Sequence, residues 1–242
     1  MKMLLFYVRH GEPTYDPDEL TYLGHMQAMA VCKRLAVFGV DKIYSSTSTR
    51  AFQTAEPLAK MLHKEITQLD FCNEKHAYHD FALMDEEKGR MRWVFAIPRF
   101  RRLLISDEVY RLGREWYTHP DFPAGNRFRE GLERVKRETE ALMLEWGYER
   151  DEAHNCYRAL RENNDRVALF AHGGFGYLFL STLLDIPYPM LTTRLDMPHT
   201  ALTVIELKED EDGLVIPQAV TMSSDGHLYK EGVPLNNDNG KF

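Results

Sequence analysis

The stretch from residue 167 to residue 184 contains no Asp, Glu, Lys or Arg, and it limits the possible folds more than any other part of the sequence. It is long enough to be considered as a membrane span, but it carries His172 and the glycines Gly173, Gly174 and Gly176. A polar ring beside a glycine-rich turn does not suit a bilayer core. We therefore expect a buried strand over residues 166–171, a turn, and a buried helix over residues 175–184.

Short apolar runs alternate with helical patterns in the remainder of the chain. The predicted strands cover residues 3–8, 42–45, 65–71, 201–207 and 214–222, and the predicted helices cover residues 23–38, 48–62 and 127–146. Strands that alternate with helices imply a mostly parallel sheet with helices on both faces. We predict an α/β fold in which residues 1–242 form a single domain. Residues 80–125, which are irregular and rich in Arg and aromatic residues, are expected to form an inserted, mainly helical lid.

Composition narrows the class of protein. The formal net charge of −7 argues against bulk nucleic-acid binding. The three cysteines are widely spaced and odd in number, which is typical of buried thiols in a reducing compartment rather than of disulfides or a zinc site. The N-terminal apolar run is too short for an export signal. We expect a cytoplasmic protein with no membrane partner and no nucleic-acid partner.

Charged and polar residues follow the predicted strands at the points where these strands end. Arg9 and His10 follow the first strand, Arg50 lies at the start of the helix after the second, Glu74 follows the third, and His172 follows the strand over residues 166–171. Ligands of open α/β sheets bind outside the carboxyl ends of the strands. Any one of these residues alone is more often an ordinary loop residue than a functional one. A functional site is indicated only because several of them are expected at one edge of the sheet.

The residues around the two histidines favour a phosphate site. Gly11, Gly173 and Gly174 remove side chains beside His10 and His172, which lets a ligand approach the backbone. A helix that begins after the glycines would direct its free N–H groups to the same place. Two arginines, a helix N-terminus and glycine turns together describe a site for a phosphate group.

Several kinds of phosphate chemistry are excluded by missing motifs. The chain has no Gly-x-x-x-x-Gly-Lys-Ser/Thr loop. No cysteine precedes an arginine at the spacing of a cysteine phosphatase, and the acidic segment at Asp16 and Asp18 does not follow an apolar strand directly. The remaining nucleophile is a histidine, whose imidazole is largely neutral at pH 7 and needs no activation. Such a site needs neither a metal ion nor a cofactor.

A set of motifs in a fixed order resembles the histidine phosphatase superfamily, the phosphoglycerate-mutase-like family. The motifs are Arg9-His10-Gly11-Glu12, Leu20-Thr21 with Gly24 and Gln27-Ala28, Ser45-Ser46 with Arg50 and Gln53-Thr54-Ala55, Glu74, and Ala171-His172-Gly173. The resemblance covers residues 1–207 and fails mainly within the lid. It implies a three-layer α/β/α fold.

The resemblance also implies roles for individual residues. His10 would be the nucleophile that becomes phosphohistidine, and Glu74 would be the general acid. Arg9, Arg50, His172 and Gly173 would hold the phosphoryl group. Two segments depart from the family pattern: Asp16 lies where the family commonly has an Asn, and residues 75–81 replace its usual segment after the acid. His76 and His79 with Asp80 lack a third well-spaced donor, so we interpret them as surface or pocket residues rather than metal ligands.

The basic residues of the lid bear on the substrate. Arg99, Arg101 and Arg102 lie in a segment with many basic residues, residues 88–114. They form either a solvated helical face or a substrate-binding surface. In the second case the substrate would carry a second anionic group.

The sequence therefore predicts a phosphoric monoester hydrolase that acts on a small phosphorylated metabolite without a metal ion. One alternative is a phosphoglycerate mutase of the same superfamily. The other is a non-catalytic module that binds phosphorylated ligands.

Overall fold

A six-stranded sheet forms the centre of the computed structural model, which describes residues 2–235. The strands are β1 (Lys2–Arg9), β2 (Pro13–Tyr15), β3 (Asp18–Leu20), β4 (Lys42–Ser46), β5 (Ile66–Leu69), β6 (Ala82–Asp85), β7 (Arg90–Trp93), β8 (Tyr148–Asp151), β9 (Cys156–Ala159), β10 (Arg166–Ala171), β11 (Leu202–Lys208), β12 (Leu214–Val215) and β13 (Gln218–Ser224). The α-helices are α1 (Tyr22–Phe38), α2 (Thr49–Leu62), α3 (Glu74–Phe81), α4 (Pro98–Leu104), α5 (Asp107–Leu112), α6 (Phe128–Glu145), α7 (Gly173–Leu184), α8 (Tyr188–Arg194) and α9 (Gly226–Glu231).

The strand order of the central sheet is β13-β11-β1-β10-β4-β5. Strands β1, β10, β4 and β5 are parallel to one another, while β11 and β13 form an antiparallel edge beside β1. The predicted mostly parallel sheet is confirmed.

Helices cover both faces of the sheet because the side chains of β1 alternate between two apolar cores. Phe6 and Val8 pack in one core with residues of α1 and α2 such as Val31. Tyr7 packs in the other core with residues of α6 and α7 such as Phe179. Since successive residues of a strand point to opposite faces, one strand contributes to both cores. The predicted α/β/α layering is confirmed.

The register of the parallel strands aligns their carboxyl ends. Arg9 lies beside Ala171, Phe170 beside Ser45, and Ser46 beside Leu69. The backbone N–H of His10 donates to the carbonyl of Ala171 at 2.9 Å, which continues the pairing one residue beyond β1. The loops after these strands therefore meet at one edge of the sheet.

The structure corrects several predicted element boundaries. The strand predicted over residues 65–71 ends at Leu69, and a 3₁₀ turn over Asp70–Cys72 follows it, so that Glu74 begins α3. The strand predicted over residues 214–222 is two strands, because Pro217 has no N–H to continue a ladder. Its first part, β12, pairs with β9 in a separate sheet of β12, β9 and β8.

Residues 80–125 contain the hairpin β6–β7, the helices α4 and α5, and a 3₁₀ turn over Gly113–Thr118. An aromatic cluster joins this segment to α6 and α8: Trp116 stacks on Tyr188 at 5.3 Å between ring centroids and lies 5.1 Å from Phe128. All three side chains are buried. That the segment acts as a lid stays a prediction. Within residues 2–235, no helix has the length and apolar character needed to cross a bilayer.

Candidate active site

A cavity of about 600 Å³ opens at the carboxyl edge of the parallel strands. Its lining includes Arg9, His10, Arg50, Glu74 and Gly173. The imidazole of His172 lies beside it, with its ring centroid 5.1 Å from that of His10. The structure thus brings together every residue that the resemblance assigned to phosphate binding and chemistry.

The hydrogen bonds of His10 define its tautomer. Nδ1 lies 2.7 Å from the carbonyl oxygen of Gly11, and since a carbonyl only accepts, Nδ1 carries the hydrogen. Nε2 is left with a lone pair, which accepts from Nε of Arg50 at 3.3 Å. Burial lowers the pKa of His10 well below its usual value, and the charges of His172, Arg9 and Arg50 lower it further. The imidazole is therefore neutral, with its unprotonated nitrogen on the side of Arg50.

His172 has the opposite tautomer. Its Nδ1 accepts from Nη2 of Arg50 at 3.1 Å, because a guanidinium can only donate. Nε2 therefore carries the hydrogen and donates to Oγ of Ser46 at 2.9 Å. Burial, together with Arg50 and Arg9, lowers the pKa of His172 as well. Ser46, at the end of β4, thereby orients the ring.

Arg50 binds both imidazoles and one carboxylate. Besides its bonds to His10 and His172, its Nη1 donates to Oδ1 of Asp18 at 2.6 Å, and Asp18 also accepts from the backbone N–H of Thr49 at 3.0 Å. The resemblance placed Asp16 where the family commonly has an Asn. The structure leaves Asp16 exposed and places Asp18, two residues later on β3, against the arginine.

Arg9 is held by a residue that the sequence analysis missed. Its Nη1 donates to the carbonyl of Met197, and its Nη2 donates to Nε2 of His199 at 3.1 Å. The ring of His199 lies 5.6 Å from that of His10, and burial lowers its pKa to about 3. His199 precedes β11 instead of following a parallel strand, so the rule of strand ends gave no signal for it.

The Nε of Arg9 is buried and has no hydrogen-bond partner among residues 2–235. It lies beside Gly173, where a Cβ atom would come within 3.4 Å of it. Because a buried donor without an acceptor is costly, an anion at this position would be stabilised by Nε.

Glu74 reaches the N-terminus of α7 from α3. Its Oε1 accepts from the N–H of Gly174 at 3.0 Å, and its Oε2 accepts from the N–H of Phe175 at 2.8 Å. Burial raises the pKa of Glu74, although the two backbone bonds and the charges of Arg50 and Arg9 oppose the rise. A carboxyl group with a raised pKa is suited to carry a proton to a leaving oxygen.

The remaining motif residues support the loop that follows His10. The N–H of Gly11 donates to Oγ1 of Thr54 at 3.0 Å, and the N–H of Glu12 donates to Oε1 of Gln27 at 2.9 Å. Gly24 packs directly on this loop, since a Cβ atom at Gly24 would lie 2.1 Å from the carbonyl oxygen of Glu12. These residues hold the backbone next to His10 in place without lining the cavity.

The comparison with known families bears on this geometry. The model of the histidine phosphatase superfamily (branch 1) matches residues 5–93, a segment that includes His10, Arg50 and Glu74. The chain has the histidine phosphatase fold. The resemblance stated from the motifs is thereby confirmed. No curated protein matches the sequence at a significant level.

Solved structures of histidine phosphatase fold superpose on nearly the whole chain. A mycobacterial glucosyl-3-phosphoglycerate phosphatase has a TM-score of 0.60 and 20% sequence identity, covering 93% of this chain and 100% of its own. A phosphoserine phosphatase mutant from Entamoeba histolytica, in complex with phosphoserine, has a TM-score of 0.57 and 18% identity, covering 93% and 99%. A putative alpha-ribazole-5'-P phosphatase from Escherichia coli has a TM-score of 0.57 and 18% identity, covering 92% and 97%.

The three arginines of α4 lie apart from the cavity around His10. Arg99, Arg101 and Arg102 are exposed on α4, and none of them lines the cavity around His10. Arg99 lines a different cavity, formed with the loop at Phe122. Aromatic side chains of residues 80–125, among them Trp93, line the cavity around His10 instead. That the three arginines contact the substrate stays a prediction.

The histidines of α3 have other partners. Nε2 of His76 lies 2.8 Å from Asp70, and Nδ1 of His79 lies 3.1 Å from Asp80. Across residues 2–235, the structure groups no three His, Cys, Asp or Glu side chains in the manner of a metal site.

Proposed function

We propose that this chain is a phosphatase that hydrolyses a small phosphate ester through a phosphohistidine on Nε2 of His10. The observation that carries the proposal is the neutral His10 imidazole, whose Nε2 lone pair faces Arg50 in a cavity that Arg9 and the N-terminus of α7 also border. The names of the superposed structures support the same class of reaction, since they are phosphatases of small phosphorylated metabolites.

In the first step, Nε2 of His10 attacks phosphorus, the Nε2–P bond forms, and the ester P–O bond breaks. Glu74 gives its proton to the leaving oxygen, so that a neutral alcohol departs. Arg50 turns its donors from the imidazoles to the phosphoryl oxygens, and the unpartnered Nε of Arg9 supplies another donor. Fixed cations of this kind stabilise the charge that spreads over the transferring group.

In the second step, the Glu74 carboxylate takes a proton from water, and the water oxygen attacks phosphorus. The Nε2–P bond breaks, inorganic phosphate forms, and His10 regains its lone pair. Glu74 is again protonated, as the next turnover requires. His172 keeps its hydrogen on Nε2, bound to Ser46, and presents Nδ1 toward the site. A phosphoryl oxygen that carries a proton could donate to that nitrogen.

The geometry of the site favours neither of the two alternatives. A phosphoglycerate mutase must hold a second anionic group of its substrate, and the position of Arg99, Arg101 and Arg102 outside the cavity gives that reading no support. A non-catalytic binding module would not need Glu74 with a raised pKa beside the phosphate site.

The test is hydrolysis of p-nitrophenyl phosphate by the wild type, by His10→Ala and by His25→Ala, with and without EDTA. His25 is an exposed histidine on α1, so its replacement is a matched control. We expect turnover that survives EDTA, is lost in His10→Ala and is retained in His25→Ala. An acid-labile phosphoryl group should be trapped on the wild type and on His25→Ala but not on His10→Ala. No turnover at any pH from 5 to 8, or full activity of His10→Ala, would refute the proposal.

A further inference from the structure

The cavity continues beyond the phosphate site along four aromatic side chains. We call these the aromatic wall: Tyr78, Trp93, Phe95 and Tyr177. Trp93 and Phe95 are only partly buried, whereas the other two tryptophans, Trp116 and Trp146, are each 1% exposed. Apolar ring surface is thus left open toward the cavity at one place beside the site.

The rings of the aromatic wall hold one another in position. Trp93 and Phe95 are stacked, with centroids 5.5 Å apart and planes 16° from parallel. Tyr78 meets Trp93 edge-on at 5.2 Å, and Tyr177 meets Phe95 edge-on at 5.4 Å. The hydroxyl of Tyr78 donates to the carbonyl of Met91 at 2.7 Å, which ties this ring to β7. Rings fixed in this way lose little conformational entropy when a ligand packs on them.

Trp93 lies on the side of the site where the alcohol leaves. A Cβ atom at Gly174 would come within 2.4 Å of Cζ2 and Cη2 of Trp93 and within 2.9 Å of Oε1 of Glu74. The outer edge of the indole therefore lies against the same glycine that Glu74 binds. Because Glu74 protonates the leaving oxygen in the proposed reaction, the group attached to that oxygen passes beside Trp93.

The charges around the wall do not suit a second anionic group. With Arg9 and Arg50 engaged by the phosphoryl group, the cation that remains in the cavity lining is Lys75, whose side chain is 63% exposed. Burial raises the pKa of Tyr177, and the charge of Asp196 acts on this pKa more strongly than the opposing charge of Arg101, which is exposed and lies outside the lining. The carboxylate of Asp196 lines the same cavity and would repel an anion. A flat ring, in contrast, gains burial against aromatic faces and the preferred stacked or edge-on contacts.

We propose that the alcohol portion of the substrate carries a flat aromatic ring, of the aryl or nucleobase kind, that packs on the aromatic wall. This inference rests on the proposed phosphatase function. It sets aside one of the two interpretations of the basic residues in the lid, in which the substrate carries a second anionic group.

The first experiment compares kcat/KM for phosphate esters whose leaving alcohols differ little in acidity. The esters are 2-phenylethyl phosphate, 2-cyclohexylethyl phosphate, propyl phosphate, 3-phosphoglycerate and a nucleoside 5′-monophosphate, so that the aryl and nucleobase sources are separated. We expect the better ring-bearing ester to exceed propyl phosphate and 3-phosphoglycerate by about tenfold or more, equivalent to ~1.4 kcal/mol. In Trp93→Leu that ratio should fall toward one, while Tyr229→Leu, on an exposed side chain of α9, should retain it.

The second experiment does not require turnover. Tryptophan fluorescence of His10→Ala is titrated with the same esters, and Trp93→Phe in that background is the control. A ring-bearing ester should change the emission, and the change should be absent with Phe at position 93. A preference for 3-phosphoglycerate, or equal rates for ring-bearing and propyl esters, would overturn the inference, as would an unchanged emission. If no ester is hydrolysed, the proposed function fails, and the titration alone decides whether the wall binds rings.

Discussion

Replacement of Arg50 by Ala removes the residue that joins the two imidazoles of the site to Asp18. Its guanidinium lies 3.3 Å from Nε2 of His10, 3.1 Å from Nδ1 of His172 and 2.6 Å from the carboxylate of Asp18. The side chain is only 11% exposed, so solvent screens its charge weakly. Its loss should therefore affect both the bound phosphoryl group and the nucleophile.

The expected magnitude follows from Coulomb's law. A charge about 4 Å from a phosphoryl oxygen contributes ~4 kcal/mol at an effective dielectric constant near 20. If this stabilisation is made mainly in the transition state, kcat/KM falls about a thousandfold. The charge of Arg50 also lowers the pKa of His10 and of His172. Without it the pKa of His10 rises, so protonation should inactivate the nucleophile at a higher pH than in the wild type.

The assay is kcat/KM as a function of pH for the wild type, Arg50→Ala, Arg50→Lys and the surface control Arg137→Ala. Arg50→Lys keeps the charge and loses the planar fork, so its activity should be intermediate. Inhibition by vanadate should weaken in parallel in Arg50→Ala. A loss smaller than tenfold, or an acidic limb that does not move, would refute this account of Arg50.

Three further predictions test the acid, the stability and the loop. Since the pKa of Glu74 is raised, the rate of hydrolysis should fall as the pH rises through that pKa. Glu74→Gln should slow hydrolysis and abolish this pH dependence while vanadate still binds. An equal loss of vanadate binding would mean that the role of Glu74 is structural. Burial lowers the pKa of His227 to about 4. The free energy of unfolding that the neutral His227 contributes above pH 6.5 should therefore be lost as the pH falls, by about 3 kcal/mol at pH 4. In urea unfolding, His227→Asn should lose less of this free energy than the wild type between pH 6.5 and pH 4, and equal losses would contradict the prediction. Gly24→Ala should lower the free energy of unfolding by about 1–3 kcal/mol, because its Cβ would meet the Glu12 carbonyl, and an unchanged urea midpoint would contradict this prediction.

The strands and helices that position the site were predictable from local patterns. The apolar run of β10 and the glycines after it mark a strand, a turn and a helix, and the structure has them at Arg166–Ala171 and Gly173–Leu184. The rule that parallel strands expose their carboxyl ends at one edge then groups Arg9, His10 and His172. Glu74 was expected at the end of a strand, but it begins α3.

Other features depend on contacts between distant parts of the chain. His199 binds Arg9 from the segment before β11, and Asp18 binds Arg50 from a short hairpin. Neither residue has a local pattern that distinguishes it from an ordinary loop residue. The direction in which the arginines of α4 face is likewise set by packing of the segment, not by its composition.

The sequence by itself indicated the strands of the central sheet, the long helices that cover it and the residues that meet at its edge, because periodicity and strand ends are local properties. The tertiary structure alone decided the tautomers of His10 and His172 and the aromatic wall of the cavity. Tautomers depend on which donors and acceptors approach each ring nitrogen. The wall depends on how the β6–β7 hairpin and the segment after it pack on α7, and both are set by contacts between residues far apart in the chain.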